Sequence, residues 1–252
     1  MYTLLCMLAL TDIATPTFVV SKMMGIFWFN LKGITMAGCL TQMFFLHMVS
    51  VMHSAILVTV AFDRYVAICN PLRYLTILTN TRIAKLGLVG LIRAVLFILP
   101  LPLLLSRQPF CANRITHTQC EYIAVAKMVC GDITVTRIYG LALMFVINRF
   151  DLTLIALSYG LIIKIILRIS SKNAHQKALN TCTAHICVML TYYTPSLFSN
   201  LTHPFSQGIA PHIRIILADL CLLIPTMLNP IIYGVKTKEL HDKVGKYTCC
   251  RR

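Results

Sequence analysis

Apolar residues in this chain come in long unbroken runs and do not alternate as they would along a half-buried strand. Runs near the roughly 20 residues that cross a hydrocarbon core cover about 2–24, 36–66, 83–105, 136–168, 176–202 and 211–234. Each predicts a helix, and together they predict an all-α membrane bundle over residues 1–235. A long extracellular loop is expected at about 106–135, and a cytoplasmic amphipathic helix and tail over 236–252. The second and fourth runs exceed the minimum, so tilt or extension beyond the membrane is expected. Pro100 and Pro102 fall late in the third run, Pro195 in the fifth, and Pro225 and Pro230 in the sixth. Proline inside a span is tolerated where neighbouring helices satisfy the freed carbonyls.

Composition agrees with the pattern. The 252 residues are 58% hydrophobic and only 12% charged, with a mean hydropathy of +0.76, against about 25% charged for soluble domains. So few charges do not cover a soluble globule of this size. Charge placement then orients the bundle. With the first residue cytoplasmic, the cytoplasmic connections and tail hold fourteen of the 23 Lys and Arg residues. The opposite face holds seven, and Arg93 and Arg149 sit within spans. That bias follows the positive-inside rule. The net charge of +15 is read as topology plus attraction to anionic membrane lipid. Nucleic acid is not the partner expected, because the cations are split over two faces and no recognition module is present.

Cysteines and acids add chemistry. Of eleven cysteines, Cys39, Cys111, Cys120 and Cys130 fall on the predicted outer side, where disulfides are stable. Spacing alone does not choose among their pairings. Zinc is disfavoured, since only His117 lies nearby and paired close spacings are lacking. Cys249 and Cys250 suit palmitoylation or remain cytosolic thiols. Among eight acids, Asp12, Asp63, Asp151 and Asp219 lie in or at the ends of apolar runs, where ionisable groups usually face the bundle interior. No two acids have the spacing of a general acid and base. His-Glu-x-x-His and Gly-x-Ser-x-Gly are both missing, as are Gly-rich phosphate loops. Nothing points to an enzyme, a cofactor or a metal.

The sequence Asp63-Arg64-Tyr65 closes the second run, and Asn229-Pro230-Ile231-Ile232-Tyr233 lies in the last. Both resemble hallmarks of rhodopsin-like G-protein-coupled receptors. Longer strings narrow the resemblance to olfactory receptors. They are Phe62 through Cys69, Ser158-Tyr159, Lys177-Ala178 with Thr181-Cys182 and His185, the loop cysteines, and Pro225 through Gly234. Phe27-Trp28-Phe29-Asn30, Cys39 through Phe45, and His203 through Phe205 are similar to the fish-like class, family 52 type. The match covers nearly the whole chain in order.

The resemblance implies a rhodopsin-like bundle containing family helices two to seven, six of the seven, because Met1-Tyr2 matches the start of the second. It implies a multi-pass plasma-membrane odorant receptor that binds a small volatile or fatty ligand in the extracellular half. Its partners would be that odorant, a heterotrimeric G protein of the stimulatory olfactory type, and membrane lipid. The alternative is a truncated, non-signalling receptor fragment or pseudogene product. Carried over residue by residue, the G-protein switch comprises Asp63, Arg64, Tyr65, Tyr159, His185, Asn229 and Tyr233. In the resting state Arg64 pairs with Asp63. The ligand set is His47, Met43, Tyr122, Gly140, Tyr193, Asn200 and His203, with His47 a donor to an acid or carbonyl. The implied disulfides are Cys39–Cys120 and Cys111–Cys130.

Three positions depart from the family's pattern. Pro204 stands where a basic residue clamps a carboxylate, and proline has no such donor. His53 stands where a glutamate faces the acid matched by Asp12, so these two form the interior polar pair and a sodium ion there lacks its oxygens. Arg149 replaces a small residue, and it is expected to be destabilising or lipid-exposed, with Asp151 too close in sequence to face it.

Overall fold

A computed structural model describes residues 2–28, 35–111, 122, 125, 129–168, 175–176, 179, 182–183, 185–194 and 227–229. The described chain is helical. Helix α1 runs Tyr2–Trp28 and α2 Met36–Cys69, followed by a 3-10 turn at Pro71–Arg73 and the short α3, Tyr74–Ile77. Then come α4 (Asn80–Ile98), α5 (Pro100–Ser106) and α6 (Thr134–Ile166). Among the described residues, three stretches are long and apolar enough to cross a membrane: Met36–Cys69, Asn80–Ser106 and Thr134–Ile166. Within α1 the apolar portion is Thr3–Phe18. The runs expected at 176–202 and 211–234 are described only in part, and within them 185–194 and 227–229 are helical.

Prolines and caps explain where these helices stop. Pro71 has no N–H to continue the ladder of α2, and it biases the preceding residue away from helical backbone. Asn70 accordingly sits at φ −134° and ψ 59°, and the Asn70 carbonyl accepts from Arg73 N at 3.1 Å. Pro100 withholds an N–H from the third span and divides α4 from α5 at Leu99, although Leu99 itself keeps helical backbone at φ −56° and ψ −39°. One carbonyl near that break, Phe97, accepts the Tyr139 hydroxyl of α6 at 2.9 Å. Thr79 caps α4 by accepting from Arg82 N. The exposed Asp132 carboxylate accepts from Thr134 N at 2.9 Å at the start of α6. Bonds from the Thr134 side chain and backbone hold its carboxyl below the usual range.

The chain divides into two compact units. The first comprises Met1–Val60 and Leu78–Ala156. Its core joins Cys39, Met43 and Val51 of α2 to Ala94 and Ile98 of α4, Leu101 and Leu105 of α5, and Leu143 and Ile147 of α6. The base of the outer loop joins this cluster through Phe110, Tyr122, Val125 and Val129. An antiparallel bridge pairs Phe110 with Val129, Cys130 N donates to the Pro109 carbonyl at 3.0 Å, and a disulfide links Cys111 to Cys130. The second unit comprises Ala61–Ile77 and Leu157–Arg252. Val66, Tyr159, Ile162, Ile166, Cys182, Val188, Met189 and Tyr193 of this unit are buried.

What the core omits is as informative. On α6, Val135, Ile138, Phe145 and Val146 are each more than 60% exposed, far more apolar surface than a soluble protein shows. Hydrocarbon is the solvent that this surface fits. Hydroxyls on such faces turn back to their own helix: Thr41 to the Ala37 carbonyl, Thr59 to Ala55, Thr153 to Arg149 and Thr183 to Leu179. Each satisfies a polar group that lipid would leave unpaired.

Candidate functional site

Asp63, Arg64 and Tyr65, the first of the expected switch residues, lie in the last turns of α2. Asp63 is buried and forms an ion pair with Arg64, its chain neighbour. A second donor is added by Tyr74, whose hydroxyl gives a 2.8 Å bond to the other Asp63 oxygen. The helix break at Asn70-Pro71 makes this possible by turning the chain so that α3 starts beside the last turns of α2. Burial, then the bond and charge of Asp63, push the Tyr74 phenol up to about 12. Tyr74 is therefore a neutral donor at any physiological pH. Sequence reasoning missed it, because nothing in a periodic pattern shows that a residue beyond a proline returns to the helix before it.

Arg64 is nearly buried, at 12% side-chain exposure, and both His185 and Cys182 lie within electrostatic reach of it. Tyr65 is half-buried, its ring tilted against Phe62 at 6.4 Å between centroids. Tyr159 and His185 are buried, and Asn229 is fully so. Tyr233 lies outside the described residues. The structure thus brings Asp63, Arg64 and Tyr74 together, with His185 within electrostatic reach of Arg64.

Of the ligand set, four residues belong to the first unit. Met43 is in its core. The Tyr122 ring lies against Gly140, where an added Cβ would sit 3.4 Å from the Tyr122 Cε1. Glycine there lets the loop rest on α6. The Tyr122 hydroxyl is buried without a partner among the described residues, and burial raises its phenol above the ordinary value. The His47 Nδ1 lies 2.8 Å from the Met43 carbonyl. A carbonyl only accepts, so Nδ1 carries the proton and Nε2 of the neutral ring is an acceptor. Tyr193, in the second unit, is buried and packs edge-on against Tyr192. Asn200 and His203 lie outside the described residues.

Among the described residues, the polar interior holds two further groups. Asp12 of α1 and His53 of α2 are both buried and meet at 3.1 Å. The second group was not anticipated. Asp151 of α6 accepts two bonds from the Arg93 guanidinium of α4, each 2.7 Å, and one from the Ser54 hydroxyl of α2 at 2.6 Å. Arg149 is exposed. It is Arg93, not Arg149, that answers the acid. Depth was the usable signal. Arg93 lies about 20 Å along α4 from its cytoplasmic start, and Ser54 and Asp151 each about 22 Å from the cytoplasmic ends of α2 and α6, at 1.5 Å per residue.

Cys39 is disulfide-bonded, while the expected partner Cys120 lies outside the described residues. Cys6, Cys69, Cys182 and Cys187 are free thiols. No cluster of three metal-ligating side chains occurs among the described residues.

Comparison with known proteins places this arrangement. Residues 1–251 match the family model described as olfactory receptor. Olfactory receptor 52P1 of Homo sapiens is 48% identical over 244 residues, covering 96% of this chain and 76% of the relative. Olfactory receptor 52D1 of Homo sapiens is 46% identical over 248 residues, covering 98% and 78%. Olfactory receptor 51E2 of Homo sapiens is 42% identical over 245 residues, covering 97% and 77%.

Proposed function

The chain belongs to the olfactory receptor family, and from that premise we propose how this odorant receptor binds and signals. It is a multi-pass plasma-membrane G-protein-coupled receptor and not an enzyme. Its ligand is a small volatile or fatty molecule held in the extracellular half of the bundle. Its signal passes to a stimulatory G protein of the olfactory type at the cytoplasmic end of α2.

The observation that carries the output side is the bonding of Asp63. Its carboxylate holds Arg64 by an ion pair and Tyr74 by a hydrogen bond. We read this as the resting state, in which the guanidinium is occupied by Asp63. An agonist that favours the arrangement with Arg64 released shifts the population toward coupling. His185, Tyr159, Asn229 and Tyr233 are the stabilising partners of that second arrangement.

On the input side, the reading rests on the residue types at the matched positions. Met43 supplies adaptable surface, the His47 Nε2 accepts, and the buried Tyr122 hydroxyl donates. That combination suits a ligand with an apolar body and one hydroxyl or carbonyl. The Pro204 substitution removes the cation that a carboxylate would want.

A cyclic-AMP assay with parallel surface staining tests both sides. Arg64→Ala is expected to reach the surface and lose the odorant response, and Tyr122→Phe to need at least about tenfold more ligand. An undiminished cyclic-AMP response in Arg64→Ala overturns the switch assignment.

A further inference from the structure

Helix α6 carries a cation with no counter-charge among the described residues. Arg149 is exposed, and no ion pair or side-chain hydrogen bond reaches its guanidinium among those residues. It stands about 22 Å along the helix from Thr134 and about 25 Å from Ile166, at 1.5 Å per residue. That stretch is long and apolar enough to cross a membrane. A hydrocarbon core of roughly 30 Å centred on α6 leaves each edge more than about 13 Å from Arg149. An arginine side chain is shorter than that, so snorkelling does not bring this charge to water.

The surface around it is continuous. Residues three, four and seven positions apart share one side of a helix. On that side Ile138, Ala142, Phe145 and Val146 precede Arg149, Thr153 and Ala156 follow it, and all six are exposed. Thr153 turns its hydroxyl to the Arg149 carbonyl at 2.7 Å, so the guanidinium is the strongly polar group on this face. The bundle side of α6 is the opposite one, through Leu143, Ile147, Asp151 and Ile155, all buried. Ala142 and Ala156 stand two turns before and two turns after the arginine. Small side chains there let a neighbouring helix approach closely.

Charge selects what that neighbour is. An apolar helix or an acyl chain leaves the guanidinium in hydrocarbon, which is costly. A lipid phosphate lies at the interface and not at this depth. A second copy docked by two-fold symmetry brings Arg149 toward its own mate, and like charges repel. Among the described residues Asp12, Asp63 and Asp151 are buried, so a copy in another arrangement has none of these acids on its outer surface.

We propose that this face of α6 docks a transmembrane helix of another protein that carries an aspartate or glutamate at mid-depth, paired with Arg149. Docking needs neither odorant nor G protein.

The test uses the whole chain in phosphatidylcholine vesicles with a synthetic leucine-alanine helix bearing one central glutamate. A benzoylphenylalanine photocrosslinker placed at Val146 should trap that helix about tenfold better than the same helix with a central leucine, as expected for one polar interhelical pair. The crosslinker placed instead at Leu96, an exposed position on α4, should show no such preference. Arg149→Leu should abolish the preference at Val146. Arg149→Glu should reverse it, rejecting the glutamate helix and trapping one with a central lysine. Without the helix, Arg149→Leu is the more stable protein, so lost trapping does not report misfolding. Equal trapping of the glutamate and leucine helices would overturn the proposal, as would undiminished trapping in Arg149→Leu. So would crosslinks between receptor copies at Val146 that outnumber those to the glutamate helix. Crosslinking reads docking without signalling, so its failure leaves the odorant reading standing.

Discussion

Replacing Asp151 by alanine removes the acceptor of three hydrogen bonds at once, two from Arg93 and one from Ser54. The carboxylate is fully buried and the Arg93 side chain is 21% exposed. Taking one partner from a buried ion pair costs about 3–5 kcal/mol, because the other charge stays behind in a poor solvent. The partial exposure of Arg93 lets its guanidinium move toward water or a headgroup, so Asp151→Ala belongs at the low end, about 3 kcal/mol. Arg93→Met strands a carboxylate with no exposure and only Ser54 left to donate, so it belongs higher, about 4 kcal/mol. Removing both charges, as Arg93→Met with Asp151→Leu, returns the bundle to within about 1 kcal/mol of the parent, since apolar pairs of similar volume replace buried ion pairs at little cost. The cycle therefore carries a coupling of about 6 kcal/mol. Reversible unfolding of the four proteins in mixed micelles measures it, with surface expression in parallel. A double variant no more stable than the worse single would refute the reasoning. Single changes costing under about 1 kcal/mol, the range of exposed pairs, would refute it equally.

Three further outcomes follow from the same geometry. Tyr74→Phe removes one donor from Asp63, a loss of about 1 kcal/mol, and should raise odorant-free cyclic AMP roughly fivefold. Because the phenol is pushed up from 10.0 to about 12, what Tyr74 contributes is complete below pH 10 and is lost as pH rises through about 12; basal activity from about pH 6 to 9 should show no Tyr74 titration. Cys111→Ser opens a disulfide spanning 19 residues, worth about 3 kcal/mol of loop closure. Lower surface staining and a newly alkylated Cys130 are expected. Arg149→Leu removes an exposed charge from the middle of α6 and should raise thermal stability in lipid by about 2 kcal/mol, whereas a loss of stability would show that Arg149 has a partner.

The helices were legible because a membrane span needs its apolar residues in one stretch, so length alone reveals it. The long run from Met36 is one helix to Cys69, a few residues past the expected 66, since helix geometry persists until Pro71 stops it. Which face of each helix turns inward was not legible. A segment apolar all round has no stripe to mark its core side. Arg149 and Asp151, two residues apart, are separated by about 200° on a helix, so one must face out when the other faces in, and the sequence shows the opposition without its sign. The interior partner Arg93 decides it, from another span 58 residues away.

The switch shows the same limit at short range. Asp63-Arg64 is adjacent in sequence and readable as a unit, but its second restraint comes from Tyr74, eleven residues on. That contact exists only because Pro71 ends α2 and the following 3-10 turn sends α3 back. A residue that breaks a helix thereby completes the site at the helix's end. Changing Pro71 would then act on signalling through Tyr74 while leaving Asp63 and Arg64 intact.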